Sequence, residues 1–258
     1  MYPIKLEKKM NDQPHSSSIK TKWALLWLEG PMQAWGVSKF YRRDTLKFPT
    51  KSGILGMVCC AMGAGGPQEG FLSQFKNLKQ TVHAFETFQG SKTLTDFQII
   101  GGGYNQKDPW ENLFLPKKSD GTKPTSSGTS SGTKITIRQY LQDTVFAVCL
   151  EIPESLAMDI EKSFKNPVWG IFLGRKNCTP TDFVFRGIFD NYKETKEKIK
   201  SIARQKGLLK KETFIALDWN QEEEFDDVLT LEDVPVRFGD KKIYESRRVG
   251  IQWVTDFS

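Results

Sequence analysis

An α+β fold is predicted by three observations. Nearly continuous apolar runs of strand length recur along the chain, apolar stripes at helical spacing lie between them, and one long interior stretch has no large apolar residue. The clearest runs are KWALLWL at 22–28 and VFAVCLEI at 145–152. Each is short for a helix and reads as a buried strand.

The elements follow in order. Residues 1–21 are polar and read as a loose extension. After the strand at 22–28 come the turn-rich EGPMQAWG and a basic loop to Pro49. Thr50 or Ser52 caps a helix. Ile54, Leu55, Val58, Cys59 and Met62 recur at helical spacing and give it one core-facing stripe. Residues 63–66 end it, and a second short helix is expected over 67–78. Strands follow at 80–88 and 94–100. Residues 117–133 (KKSDGTKPTSSGTSSGT) lack the apolar surface needed to offset ordering entropy, so a mobile tip is expected there. Strands resume at 135–140 and 145–152, and Pro153 suits the start of a helix over 154–164. The run VWGIFL predicts a strand at 168–173, and weak alternation predicts another at 183–189. A charged helix is expected over 192–205, with late strands at 214–217, 234–238 and 249–254.

The resulting order is strand, helix, strand, strand with an insertion, strand, helix, strand. It fits a split β-α-β unit of ferredoxin type, with helices on one face of an antiparallel sheet. Five parts are expected: the extension 1–21, a first ferredoxin-like part 22–100, an insertion 101–133, a second part 134–190, and a C-terminal helix and strands 191–258.

With 258 residues, 38% hydrophobic and 26% charged, the chain reads as globular. No apolar run approaches the ~20 residues of a membrane span, and the start lacks the apolar core of a signal peptide. A cytoplasmic protein with no membrane partner is expected. Cys59, Cys60, Cys149 and Cys178 form no C-x-x-C pair and read as buried free thiols in a reducing compartment. With His15 and His83 the sole histidines, no zinc site is expected, and the residues point to no cofactor.

The net charge is +6. Residues 30–52 carry Lys39, Arg42, Arg43, Lys47 and Lys51 against Asp44 alone. Lys241, Lys242, Arg247 and Arg248 lie near the end. The lysine-rich helix around Lys196 reads as a solvated face.

Three segments carry candidate chemistry. Residues 29–51 lead into a helix whose start at Thr50, Lys51, Ser52 and Gly53 offers unpaired N–H groups and the positive end of a dipole. Arg42, Arg43 and Lys51 add charge, and Trp35 and Tyr41 add stacking faces, a combination that grips single-stranded RNA. Taken alone, the segment is equally a surface loop whose Trp35 caps the core. In residues 173–180, Gly174 precedes Arg175 and Lys176 in a proline-ended turn, as in an anion-binding nest; a plain basic turn is the more common case. In residues 137–144, Arg138 and Tyr140 share side-chain parity and one face; a paired, partly buried arginine is the alternative. No phosphate loop and no H-E-x-x-H is present.

The ordered set LLWLEGPMQAWG, RRDTLKFPTKSGILGMVCCAMG, ITIRQYLQDTVFAVCL and GIFLGRKNCTP, closed by RRVGIQWV, resembles the CRISPR-associated CasD family of the RAMP superfamily. The resemblance implies an RNA-binding subunit of Cascade, a ribonucleoprotein complex of antiviral defence. Such a subunit holds the 5′ handle of the CRISPR RNA and caps the backbone filament. Its partners are the backbone subunit and the large subunit, and it reaches target DNA indirectly through the complex. The implied fold is ferredoxin-like with a protruding thumb, which falls here at about 101–133.

Carried over, Gln33, Trp35, Arg42, Arg43, Thr50, Lys51, Ser52 and Gly53 face the handle, joined by Arg138, Tyr140, Arg175 and Lys176. The sequence departs from the family where His83-Ala84-Phe85-Glu86 replaces an Arg-x-Asp pattern and where Asp96-Phe97-Gln98 replaces Asp-Tyr-His. No catalytic residue and no metal ligand is expected. The alternative is a metal-independent endoribonuclease processing precursor CRISPR RNA, as in type I-C systems, with Tyr41, Lys51 and His83 as its nominated set.

Overall fold

The computed structural model describes residues 20–36, 42–86, 93–100, 108–110 and 134–254. The chain is a mixed α+β protein built on antiparallel sheet. Two runs that read as buried strands form the centre: β1 (Thr21–Glu29) and, six strands later, β7 (Thr144–Pro153). Between them come β2 (Met32–Gln33), β3 (Arg42–Arg43), β4 (Gln80–Glu86), β5 (Thr93–Ile100) and β6 (Lys134–Gln142). After them come β8 (Phe185–Phe189), β9 (Glu212–Asp218), β10 (Asp227–Arg237) and β11 (Ile243–Trp253). The helices are α1 (Lys51–Met62), α2 (Glu69–Leu72), α3 (Ala157–Lys165) and α4 (Tyr192–Gln205).

Seven strands make the main sheet in the order β10-β11-β9-β4-β7-β1-β8, and every pairing in it is antiparallel. Successive side chains on a strand point to opposite faces. On one face, Ala24, Leu26 and Leu28 of β1 and Phe146, Val148 and Leu150 of β7 pack with Ile54, Leu55 and Val58 of α1 and Ile160 and Phe164 of α3. On the other, Leu25, Trp27, Ala147 and Cys149 pack with Ile199, Ile202 and Ala203 of α4. Because both faces are covered, these strands carry unbroken apolar runs rather than alternation. The inner strands, numbered by chain order, lie second-third-first-fourth as β4-β7-β1-β8, and α1 and α3 share one face.

α1 begins at Thr50, whose Oγ1 accepts a hydrogen bond from the Gly53 N–H at 3.1 Å. It ends at Gly63, in the left-handed region at φ 67°, with its N–H on the last-turn carbonyls. The helix expected over 67–78 is shorter: α2 has four residues and runs into a 3-10 turn at Ser73–Phe75.

The strand expected at 168–173 does not form. Gly170 and Gly174 interrupt the run, and the Val168 and Trp169 amides donate to the Ala61 and Cys60 carbonyls at the end of α1 instead of to a ladder. Val168 and Trp169 are exposed, and Leu173 alone is buried in the core.

A smaller sheet centres on β6, which pairs antiparallel with β5 and β2 and parallel with β3. Asp143, at φ 50°, turns the chain from β6 into β7. The extension over 1–19, residues 87–88 of the strand expected at 80–88, and the insertion tip over 111–133 lie outside the described residues. Among the described residues no helix is long and apolar enough to cross a membrane.

Candidate nucleic-acid interface

Three parts of the chain meet beside α1: residues 34–36 with 43–46, the turn at 174–176, and the β10–β11 connection at 238–242. Between them lie two cavities of about 960 and 890 Å³. They share Ala34, Gly36, Thr50, Ser52, Gly174 and Lys242 and so form one continuous groove. Arg43, Lys176, Lys241 and Lys242 are exposed on its walls, alongside the acidic Glu232, Asp233 and Asp240.

The floor includes Gly56, in the middle of α1, with no heavy atom within 4 Å of where a Cβ would stand. An interior helix glycine costs about 0.5–1 kcal/mol relative to alanine. No packing neighbour explains it here, and the helix backbone lies bare to the groove.

The walls are held by residues the sequence offered as ligand contacts, and four of those readings are corrected. Trp35 is 1% exposed and presents no face to a base. Its indole Nε1–H donates to Gln33 Oε1 at 3.2 Å, so it caps the core. Gln33 is fully buried, with its Nε2 donating to the Leu28 and Thr144 carbonyls at 3.0 and 2.8 Å. Tyr140 is 1% exposed, and its hydroxyl accepts from Asn177 Nδ2 at 3.0 Å.

Arg175 spends its donors on the protein itself. Nη1 donates to the Gln139 carbonyl at 2.9 Å and Nη2 to the Arg43 carbonyl at 2.8 Å, with the guanidinium over the Tyr140 ring at 4.9 Å from its centroid. It clamps β3 and β6 to the turn. The turn itself needs Gly174, at φ 89°, because a Cβ there would lie 1.9 Å from the Ala34 carbonyl oxygen.

The helix start is also corrected as an open amide cradle. The Lys51 N–H donates to Asp233 Oδ2 at 2.7 Å, the Gly53 N–H to Thr50 Oγ1, and the Ile54 N–H to the Thr50 carbonyl. Asp233 is itself held by Arg247, through Nε at 2.7 Å and Nη2 at 2.9 Å. Thr50 is buried by its capping role, and Gly53 lies against the Trp35 ring.

The Lys51 side chain leaves the groove altogether. It is 2% exposed, and its ammonium donates to the Lys76 and Leu78 carbonyls at 3.2 and 2.6 Å. Burial pushes its pKa down to about 8, Asp218 and Asp233 oppose the shift, and Arg247 reinforces it.

Arg42 Nε donates to Asp44 Oδ1 at 2.9 Å. Arg138 stands beside Arg43 in the parallel β3–β6 pairing, and its buried Nε has no hydrogen-bond partner among the described residues. Of the predicted residues, Arg43, Ser52 and Lys176 line the groove with accessible side chains. Gly56, Lys241, Lys242 and Tyr244 join them from positions the sequence reading left outside the site. The signal for Lys241 and Lys242 was their charge; nothing local tied them to α1.

His83 is 1% exposed, with Nδ1 at 2.5 Å from Glu212 Oε1 and Nε2 at 2.9 Å from the Tyr192 hydroxyl. It follows the parity of Phe85, which packs on the α4 face, whereas Lys51 starts α1 on the opposite face. Those two members of the nominated endoribonuclease set are therefore separated by the sheet. Tyr41 lies outside the described residues.

The family model for the CRISPR-associated protein (Cas_Cas5) matches residues 23–250, which take in both sheets and the whole groove. The chain belongs to the Cas5 family. The CRISPR system Cascade subunit CasD of Escherichia coli (strain K12) is 31% identical over 169 residues, spanning 64% of this chain and 70% of that relative. A solved chain of a CRISPR RNA-guided surveillance complex matches with a TM-score of 0.66 at 26% identity, over 90% of this chain and 89% of that one. A crystal structure of a Cas protein has the same fold, with a TM-score of 0.55 at 19% identity over 90% and 94% of the two chains.

Proposed function

We propose that this Cas5-family chain is a non-catalytic subunit of a Cascade-type ribonucleoprotein complex and that its groove grips the 5′ handle of the CRISPR RNA. The groove beside α1 carries the proposal. It joins a bare stretch of helix backbone at Gly56 to four exposed cations, Arg43, Lys176, Lys241 and Lys242. Cations hold phosphates, and a backbone free of side chains lets the strand approach closely. The likeness to the Cascade subunit CasD and to a chain of an RNA-guided surveillance complex supports the same reading.

The second-third-first-fourth order of the inner strands, with α1 and α3 on one face, supports a ferredoxin-like βαββαβ unit. The β5–β6 pair then forms the base of an inserted thumb. The backbone subunit and the large subunit are its protein partners, target DNA is reached through the complex, and the complex works in the cytoplasm. The separation of Lys51 and His83 by the sheet supports a binding role over RNA cleavage.

Incubation of the purified chain with repeat RNA in EDTA tests the non-catalytic part. Intact RNA after prolonged incubation is expected, and a single specific cut overturns it. Isolation of the tagged chain from a host expressing the array tests the rest. Recovery of guide RNA and a backbone subunit supports the proposal; recovery of neither contradicts it.

A further inference from the structure

A second cavity, of about 410 Å³, opens where five segments meet: the start of α1, the turn at 76–79, the end of β9, β10 at Val234 and the middle of β11. It shares no lining residue with the groove. Five cations line it, Lys51, Lys76, Lys79, Arg247 and Arg248, against one carboxylate, Asp218.

That carboxylate is already used: one oxygen pairs with Arg247, and the other accepts from the Gln80 N–H at 3.0 Å. Arg247 also donates to Asp233 through Nε and Nη2, and Lys76 pairs with Glu245 at 2.8 Å. Three cations are left over. Lys79 and Arg248 make no side-chain ion pair among the described residues.

The third is Lys51. Its ammonium is buried and rests on two carbonyls, with no carboxylate in contact and one N–H to spare. Asp218, Asp233 and Glu151 act on this charge only from beyond contact distance, and an anion in the cavity could pair with it directly.

The rim adds a second, independent feature. The Arg248 guanidinium lies over the Trp219 ring, 3.8 Å from its centroid, and the two residues are tied by a Trp219 N–H to Arg248 carbonyl bond of 3.0 Å. Arg248 is exposed, so this stack lies at the surface. A guanidinium plane fixed on an indole is a platform for a nucleic-acid base. A base offers its face only when unstacked, which selects single strands over duplex.

We propose that this cavity is a second nucleotide-binding site, separate from the handle groove, which takes one residue of a single-stranded polynucleotide. Its phosphate meets Lys79 and the Lys51 ammonium, and its base stacks on the Arg248 guanidinium.

The test uses the intact chain with single-stranded decamers of uridine and of thymidine as probes, followed by tryptophan emission and by filter binding across salt concentrations. A bound decamer quenches part of the emission, and Trp219→Phe removes that component. Arg248→Ala weakens the quench-detected affinity about tenfold, the order of one lost base stack. Arg248→Lys, which keeps the charge and loses the plane, loses as much. Lys79→Ala lowers the salt slope by about 0.7, one phosphate contact on a single strand. Arg248 is exposed, so its replacement leaves the fold in place. A preference for uridine points to guide RNA as the source, and a preference for thymidine to a displaced DNA strand; either supports the site. Quenching that persists in Trp219→Phe overturns the proposal, as does wild-type binding by Arg248→Lys.

Discussion

Gly56 occupies the middle of α1 with open space above it. If its role is to bare the backbone to RNA, stability and binding oppose each other there. Gly56→Ala should raise stability by about 0.5–1 kcal/mol while weakening handle binding; a paired melt and binding titration reads both, and unchanged binding removes Gly56 from the site. Lys51 and the buried thiols give the alkaline response. Lys51 is depressed by burial to about 8 from the usual 10.5, so between those values the unfolded chain holds more protons and stability rises with pH. Burial pushes Cys59 up from 9.0 to about 12, and Cys149 higher still, so above pH 9 the folded chain holds more protons and stability falls. Between pH 8 and 9 Lys51 should add about 1 kcal/mol, offset in part by the thiols, so urea midpoints should climb by less than that and then decline. Lys51→Met should abolish the climb; a climb that survives the substitution shows that another group drives it. At this scale the sequence marked Trp35 and Tyr140 as important without revealing how. An indole that stacks on a base and one that caps a core look alike until Gln33 and Asn177 are seen bonded to them.

Elements were legible wherever burial on both faces left an unbroken apolar run, as in β1 and β7, or a stripe at helical spacing, as in α1. The run at 168–173 has the apolar content of a strand, but its first amides go to the end of α1. The two-residue β3 was invisible for a related reason. What holds it is an arginine 132 residues away, Arg175, donating to the Arg43 carbonyl. Arg175→Ala should lower stability by about 1–3 kcal/mol, through carbonyls left unpaired and the lost stack on Tyr140. Arg175→Lys should not restore it, since an ammonium lacks the planar fork that reaches both carbonyls. Denaturation of the three proteins measures this, and wild-type stability in Arg175→Ala would show that the clamp is incidental.

On the scale of the whole molecule, the sheet is what divides the chemistry. It puts α1, α3 and the groove on one face and α4, with the His83–Glu212–Tyr192 cluster, on the other. The late hairpin of β10 and β11 extends the sheet past β9 and delivers Lys241 and Lys242 to the groove, and Arg247 and Arg248 to the second cavity. That delivery depends on a register between strands far apart in the chain, so sequence showed the charge without its destination. The proposed role of the groove in holding the handle is tested most directly by filter binding of guide RNA with and without its 5′ handle, across salt concentrations. Wild type is compared with the Arg43→Ala, Lys242→Ala double variant. Wild type should favour the handle-bearing RNA, and the double variant should bind it more weakly with a salt slope lower by about 1.4, two phosphate contacts on a single strand. Equal affinity and slope in the two proteins, or equal binding of RNA that lacks the handle, would contradict the account.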